Sequence, residues 1–375
     1  MRFSCGDPVP WFSARTHSTD DFQFSAAAGR YVVLSFLGSA ARLDTQRVIA
    51  DLEAGRRDFD DDRLCFFGVI TEPQDISTGR VRELLPGIRY FQDFSGNISR
   101  SYDALPRDLA VPNPLTDYRP FSLLLDTRLR VLQRVPIEAS GEGHVARLLD
   151  LARTLPDLGT QHPAEVQAPV LIVPRIFEPE LCEELIEYYR THENEDSGFM
   201  RDVGGKTVGV YDYGTKRRRD CQIENDDLRK RCMHRIHDRL APEIRRAYQF
   251  NATRMERYIV ACYEGEHGGH FRAHRDNTTK GTAHRRFAVS VNLNADYEGG
   301  YVWFPEFGRH LFRPPAGGAV VFSCSLLHEA TRVTAGTRYV FLPFLYDDEA
   351  ARVREQNSQF LGGNINTPPG VPVAS

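Results

Sequence analysis

The stretch Ala261-Cys262-Tyr263-Glu264-Gly265-Glu266-His267-Gly268-Gly269-His270-Phe271-Arg272-Ala273-His274-Arg275-Asp276-Asn277 decides how the rest of this chain is read. His274 and Asp276 are two residues apart, so on one strand both side chains point to the same face, with Phe271, Ala273 and Arg275 alternating around them. A third ligand has to come from another strand. His328 qualifies, because it follows a strand expected over Ala319 to Cys324, which the turn Pro314-Pro315-Ala316-Gly317-Gly318 introduces. Two imidazoles and one carboxylate can occupy one face of an Fe(II) ion and leave the opposite positions open. Arg338, ten residues past His328, opens a strand expected over Arg338 to Leu345 and puts a fixed cation where the distal carboxylate of a diacid could sit. The His-x-Asp triplet alone is a weak motif; its conjunction with His328 and Arg338 carries the signal.

Outward from this stretch, the chain from Met255 onward reads as short strands separated by glycine, proline and charged turns, the pattern of a β-sandwich or jelly roll. Upstream lie a strand over Val170 to Val173 and a helix over Pro179 to Arg190, where Leu181, Leu185, Ile186 and Tyr189 recur at amphipathic spacing. The polar, proline-rich run Thr154 to Pro169 reads as a linker. Before it, Tyr31 to Leu37 (YVVLSFL) and Leu64 to Ile70 (LCFFGVI) are apolar runs of buried-strand length. Phe121 to Leu125 with Val131-Leu132 reads as a hairpin, while Asp44 to Gly55 and His144 to Arg153 have helical spacing. Strands alternating with helices predict a mostly parallel sheet covered by helices. The expected boundaries are therefore 1–155 for an α/β domain, 156–169 for the linker, 170–350 for a mainly-β domain with flanking helices and 351–375 for an irregular or docked extension.

At 375 residues the chain exceeds the size at which a single core stops growing, which agrees with two domains. A net charge of -4 gives no reason to expect nucleic-acid binding or a polybasic membrane surface. The seven cysteines are scattered, odd in number and free of C-x-x-C pairs, which fits reduced thiols better than a disulfide framework. Met1 to Phe12 lacks the charged and apolar regions of a secretory signal, and no apolar stretch reaches membrane-spanning length. A soluble, cytoplasmic protein is expected.

On these motifs, residues 170–350 resemble the prolyl 4-hydroxylase-type 2-oxoglutarate/Fe(II) dioxygenases. The 261–277 stretch fits the family's "YxxG…HxD" segment. His328-Glu329-Ala330-Thr331-Arg332-Val333-Thr334-Ala335-Gly336-Thr337-Arg338-Tyr339 fits "HxVxxVxxGxRy". Gly299-Gly300 before Val302 to Phe304, and Pro315 to Val320, match turns in the same order. The resemblance implies a double-stranded β-helix (a cupin-like jelly roll) holding Fe(II) on His274, Asp276 and His328, with Arg338 on the C5 carboxylate of 2-oxoglutarate. It also implies O2 as cosubstrate, ascorbate binding, and conversion of 2-oxoglutarate to succinate and CO2 coupled to hydroxylation of an unactivated C–H. Tyr263 would point its phenol toward the cosubstrate or serve as a strand-end core aromatic. Asn292 could hydrogen-bond 2-oxoglutarate or be a satisfied inter-strand side chain. His267 and His270 read as substrate-side or structural, His284 and His310 as structural.

The N-terminal half resembles the peroxiredoxin branch of the thioredoxin fold. Gly6-Asp7-Pro8-Val9-Pro10-Trp11-Phe12 matches that family's opening, Gly29 to Leu34 its first core strand, and Phe121 to Asp126 its late strand. Its chemistry is missing. A peroxidatic cysteine belongs at a helix N-terminus just after the first core strand, where the dipole lowers its pKa. Here that stretch is Gly38-Ser39-Ala40-Ala41-Arg42-Leu43-Asp44-Thr45, without a thiol, and Cys65 falls inside a buried strand. This half is expected to be a scaffold, a docking module or a homodimerisation surface.

Substrate choice is expected to lie with Gly198 to Ile223, a glycine-bearing lid whose basic run Lys216-Arg217-Arg218-Arg219 either meets an acidic peptide or small carboxylate or forms a solvated loop. By family analogy the substrate is a prolyl, peptidyl or amino-acid-like molecule, small or part of a protein. Two other classes stay open: a redoxin-type thiol oxidoreductase, and a catalytically silent iron or O2 sensor.

Overall fold

The structure, a computed structural model, describes residues 3–107, 117–161, 163 and 166–366. The expected tail prolines Pro368-Pro369 and linker positions 162, 164 and 165 lie outside these residues. The chain divides into two compact units, Met1–His162 and Pro163–Ser375.

In the first unit, the apolar runs Tyr31–Gly38 and Leu64–Ile70 form adjacent parallel strands with every residue buried. A strand with one wet face alternates polar and apolar residues. These do not, because alternate side chains enter two different cores. Val32, Leu34 and Phe36 join Cys65, Phe67 and Val69 on one face. Val33 and Leu37 join Phe66 and Ile70 on the other, together with apolar residues of the helices Leu43–Ala54 and His144–Arg153. The sheet runs Ile88–Gln92, Leu64–Ile70, Tyr31–Gly38, Phe121–Leu125, Val131–Pro136. Its first three strands are parallel and its last two antiparallel, so the sheet is mixed rather than mostly parallel. For the last pair the reason is the short hairpin after Leu125, which cannot make the crossover that a parallel partner requires. The strand Ile88–Gln92 has no counterpart in the sequence reading.

In the second unit, the helix Pro179–Thr191 buries Leu181, Cys182, Leu185 and Tyr189. The helical stretch from Asp226 to Tyr248 adds Leu228, Cys232, Ile236, Leu240 and Ile244 to the same core. These pack on one face of a ten-stranded sheet, against Val260, Cys262, Val289, Val291 and Phe341. Strand alternation then turns Ala261, Tyr263, Ser290 and Asn292 to the opposite face. A second, five-stranded sheet runs Lys216–Arg217, His270–His274, His328–Ala330, Val302–Trp303, Leu311–Phe312. Side chains from both sheets line one cavity of about 80 Å3.

The expected loop Gly198 to Ile223 is ordered. Phe199–Val203 and Lys206–Tyr211 form an antiparallel hairpin, turning at Gly204-Gly205, whose positive φ values of 57° and 81° suit glycine. Among the described residues of the C-terminal extension, a helix over Asp348–Asn357 leads to a strand, Leu361–Asn366, docked parallel to Lys206–Tyr211. No helix among the described residues is long and apolar enough to cross a membrane.

Candidate metal centre

His274 ends its strand, and Asp276 lies in the turn that follows; the expected single strand carrying both is corrected on this point. A register shift between Phe271 and His274 and the turn itself re-aim the pair. His274 lies directly across from His328, the first residue of its own short strand. Arg275 points away from the centre, pairing with Glu306 at 2.7 Å and donating to the Ser325 carbonyl. The Asp276 backbone N–H donates to the Cys324 carbonyl at 3.0 Å. These bonds fix the turn to the segment that leads into His328.

The three side chains converge. Asp276 Oδ1 lies 3.6 Å from His274 Nε2, and Oδ2 lies 3.4 Å from His328 Nε2. One ligand atom from each residue falls within 4.8 Å of the others. His274 Nδ1 is 2.7 Å from the Arg272 carbonyl, and His328 Nδ1 is 3.0 Å from the Leu326 carbonyl. A carbonyl only accepts, so each Nδ1 carries the proton and each Nε2 lone pair is left for a metal. Phe271 stacks on the His274 ring at 3.5 Å, and Phe322 lies 4.6 Å from the His328 ring. Burial pushes the His328 imidazole down to about 4. Burial alone would raise the Asp276 carboxyl, but the two histidines outweigh it and hold Asp276 well below the usual carboxylate range. Two imidazole Nε2 atoms and a carboxylate are donor types that a divalent cation takes, so the donor set fits Fe(II).

Arg338 sits inside the strand Val333–Phe341, not at its start. It is 2% exposed and lines the cavity. Its Nη2 donates to Ser290 Oγ at 2.8 Å and to Asn292 Oδ1 at 3.0 Å, and its Nε lies 3.2 Å from the same Oδ1. Gly300 permits this packing, since a Cβ there would meet the Arg338 side chain at 3.0 Å. Asn292 donates to Tyr297 Oη at 2.8 Å and to the Pro314 carbonyl at 3.0 Å. With its amide engaged on both sides, Asn292 holds Arg338 through Oδ1. Tyr263 is paired in register with Arg338 and lies beneath its guanidinium, 5.4 Å from ring centroid to Cζ.

The other histidines weighed in the sequence, His267, His270, His284 and His310, have partners or surroundings of their own. Both His270 ring nitrogens face carbonyls, of Gly268 and Gly214. His284 pairs with Glu256 at 2.9 Å, His267 faces Glu264 at 3.7 Å and His310 is exposed.

Sequence reasoning missed how the basic run divides. Lys216 and Arg218 are buried and line the metal cavity, whereas Arg217 faces outward and Arg219 reaches Asp196. Alternation on an extended segment was the available signal. Arg257, also in the lining, gave none: it holds a left-handed φ of 65°, a conformation uncommon outside glycine.

A family model described as the 2OG-Fe(II) oxygenase superfamily matches residues 258–346. A PKHD-type hydroxylase of Acinetobacter baumannii is 31% identical over 149 residues, which cover 36% of this chain and 63% of that relative. The match thus spans under two thirds of the relative's length. Among solved structures, a prolyl hydroxylase from Trichoplax adhaerens, in complex with a hypoxia inducible factor peptide fragment, aligns with 50% of this chain and 86% of its own, at 17% identity and a TM-score of 0.39. Peroxidoxin BcpB from Mycobacterium tuberculosis aligns with 42% of this chain and 100% of its own, at 18% identity and a TM-score of 0.36.

Proposed function

We propose that the 2OG-Fe(II) oxygenase domain matched at residues 258–346 hydroxylates an unactivated C–H of a prolyl, peptidyl or amino-acid-like substrate. The balanced reaction takes substrate, O2 and 2-oxoglutarate to hydroxylated product, succinate and CO2. The single observation that carries this reading is the convergence of His274, Asp276 and His328 in a cavity that Arg338 also lines.

In this reading His274, Asp276 and His328 hold Fe(II), and the metal supplies the redox chemistry when bound. The chain's own residues do the rest. The Arg272 and Leu326 carbonyls fix both imidazole tautomers. Arg338, oriented by Asn292 and Ser290, takes the far carboxylate of 2-oxoglutarate, and its charge and fork geometry favour a bidentate pair. Tyr263 supports that guanidinium from below. Val302, Phe322 and Phe344 give the cavity a dry wall that excludes water from the reacting C–H. Ascorbate, a double-stranded β-helix formed by the two sheets, a cytoplasmic setting and a homodimer through residues 1–155 belong to the same proposal. All seven cysteines are free and six are buried, which supports the reduced setting.

The test is coupled turnover: succinate formed in step with substrate oxidation across a panel of peptides and amino acids. Wild-type protein is expected to couple the two for at least one panel member. Succinate formation that no substrate raises and that Asp276→Ala leaves intact would remove the proposal.

A further inference from the structure

Beyond the metal ligands and Arg338, the cavity wall carries a second group of cations. Lys216, Arg218 and Arg257 all line it, and Lys216 and Arg257 also line the larger adjoining groove beside the hairpin Phe199–Val203/Lys206–Tyr211. The carboxylate set among them is Asp220, and it is already engaged. Arg218 grips it with Nε and Nη2, both at 2.7 Å. Ser197 Oγ donates to it at 2.6 Å, and Arg257 reaches it at 3.2 Å. Two of the three cations thus hold the one carboxylate, which Lys216 does not reach within ion-pair distance.

Lys216 is the least compensated of the three. Its Nζ donates to Ser197 Oγ at 2.8 Å and to the Gly198 carbonyl at 2.5 Å, and it lies over the Phe271 ring at 4.8 Å. An ammonium has three N–H donors, and no described carboxylate lies within ion-pair distance of this one. A side chain only 5% exposed holding an unpaired charge is costly unless a ligand completes it. Arg218 commits one edge to Asp220 and turns its Nη1 toward Tyr263 Oη, 3.3 Å away. The same cavity wall holds Phe271, which stacks on the ligand His274. Burial and the neighbouring Arg218 push the Lys216 pKa well down, an effect that a bound anion would offset.

We propose that Lys216, with Arg218 beside it, forms an anion subsite for the substrate, so that the molecule hydroxylated carries a carboxylate seated against the Lys216 ammonium. This rests on the oxygenase reading above and goes past it by naming the substrate class. In that reading Asp276 and Arg338 face the metal and the diacid, and Asp220 is taken up by Arg218 and Arg257. The excess positive charge is left for a further anion. A free amino acid's α-carboxylate and an acidic side chain of a peptide supply the same chemistry.

The experiment uses full-length protein loaded anaerobically with Fe(II) and 2-oxoglutarate, whose charge-transfer absorption band reports the loaded centre. The probes are matched acid and amide pairs: L-proline and L-prolinamide, N-acetyl-L-proline and its amide, and acetylated Glu-Pro-amide and Gln-Pro-amide. The first two pairs report an α-carboxylate and the last a side-chain carboxylate. Acids of one arm are expected to perturb the band with at least about tenfold tighter binding than their amides. In Lys216→Met that preference is expected to disappear while the band still forms, and in Lys216→Arg to return in part. Lys216→Gln serves the same comparison if Lys216→Met does not fold. Amides binding as tightly as acids, no acid perturbing the band, or an unchanged preference in Lys216→Met would each overturn the proposal. So would a higher 2-oxoglutarate requirement in Lys216→Met with the acid preference intact, which would put the lysine on the cosubstrate. If wild-type protein forms no band at all, the oxygenase reading fails first, and the subsite with it.

Discussion

The metal ligands of the second unit differ from the buried polar groups of the first in what they end on. In the first, each buried polar group named here ends on another protein group. Arg130 donates Nε and Nη2 to the Gly6 carbonyl. Asp93 accepts the Ile98 and Ser99 N–H groups. Ser35, Ser122 and His144 form a chain inside the core. Where a redoxin would carry its thiol, Thr45 Oγ1 donates to the Leu37 carbonyl and Ala40 N–H to Asp75. In the second unit, His274, His328 and Asp276 aim their free lone pairs at one another across 3.4 to 3.6 Å. Closed networks hold a fold together, whereas converging unsatisfied acceptors wait for something to bind. That difference is why the proposed chemistry is placed in the second unit and none is proposed in the first.

The strongest way to break this contrast is to remove a converging ligand. His328→Ala or Asp276→Ala is expected to lower substrate-coupled succinate formation by at least roughly a thousandfold, about 4 kcal/mol of barrier, with an unchanged thermal midpoint in metal-free protein or a higher one. Next, Arg338→Leu should raise the 2-oxoglutarate concentration for half-saturation about a hundredfold while Fe(II) binding persists. Asn292→Ala, acting through Arg338, should raise it only about tenfold. Equal effects at the two positions would return Asn292 to direct contact with the cosubstrate.

How far this was readable from sequence depended on whether the signal was local. The triad and Arg338 stood out because their residue types are scarce and their spacing matches strand geometry. The buried strands Tyr31–Gly38 and Leu64–Ile70 stood out because two covered faces leave no polar positions. Three features were hidden. The turn that carries Asp276 out of its strand depends on bonds to Cys324, Ser325 and Glu306, roughly thirty to fifty residues away. Lys216 and Arg218 looked like half of a solvated basic run, because only pairing with the His270–His274 strand shows which side of the run is buried. Ile88–Gln92 carries Arg89 and Gln92 among its apolar residues, and neither strand nor helix periodicity singles it out.

Smaller effects sharpen the contrast. Glu256 anchors a buried charge cluster inside the second unit, paired with His284 at 2.9 Å and Arg285 at 2.8 Å. Burial would raise its carboxyl, but these partners draw it from 4.5 down to about 2. A depressed carboxylate contributes stability above its unfolded pKa and loses it as the pH falls from about 4.5 through about 2. Glu256→Gln should therefore cost on the order of 3 kcal/mol at neutral pH, and its stability should fall less steeply across that acid window. Denaturant unfolding at a series of pH values reads both. Smallest of all, Cys65→Ala should leave coupled turnover within about twofold, because burial pushes that thiol up to about 12 and makes it inert.

The most direct measurement of the central claim is anaerobic titration of full-length protein with Fe(II) and 2-oxoglutarate, following the charge-transfer absorption band. The account predicts one band that saturates at one iron per chain and is absent in both His274→Ala and Asp276→Ala. A band of wild-type strength in both variants would contradict it.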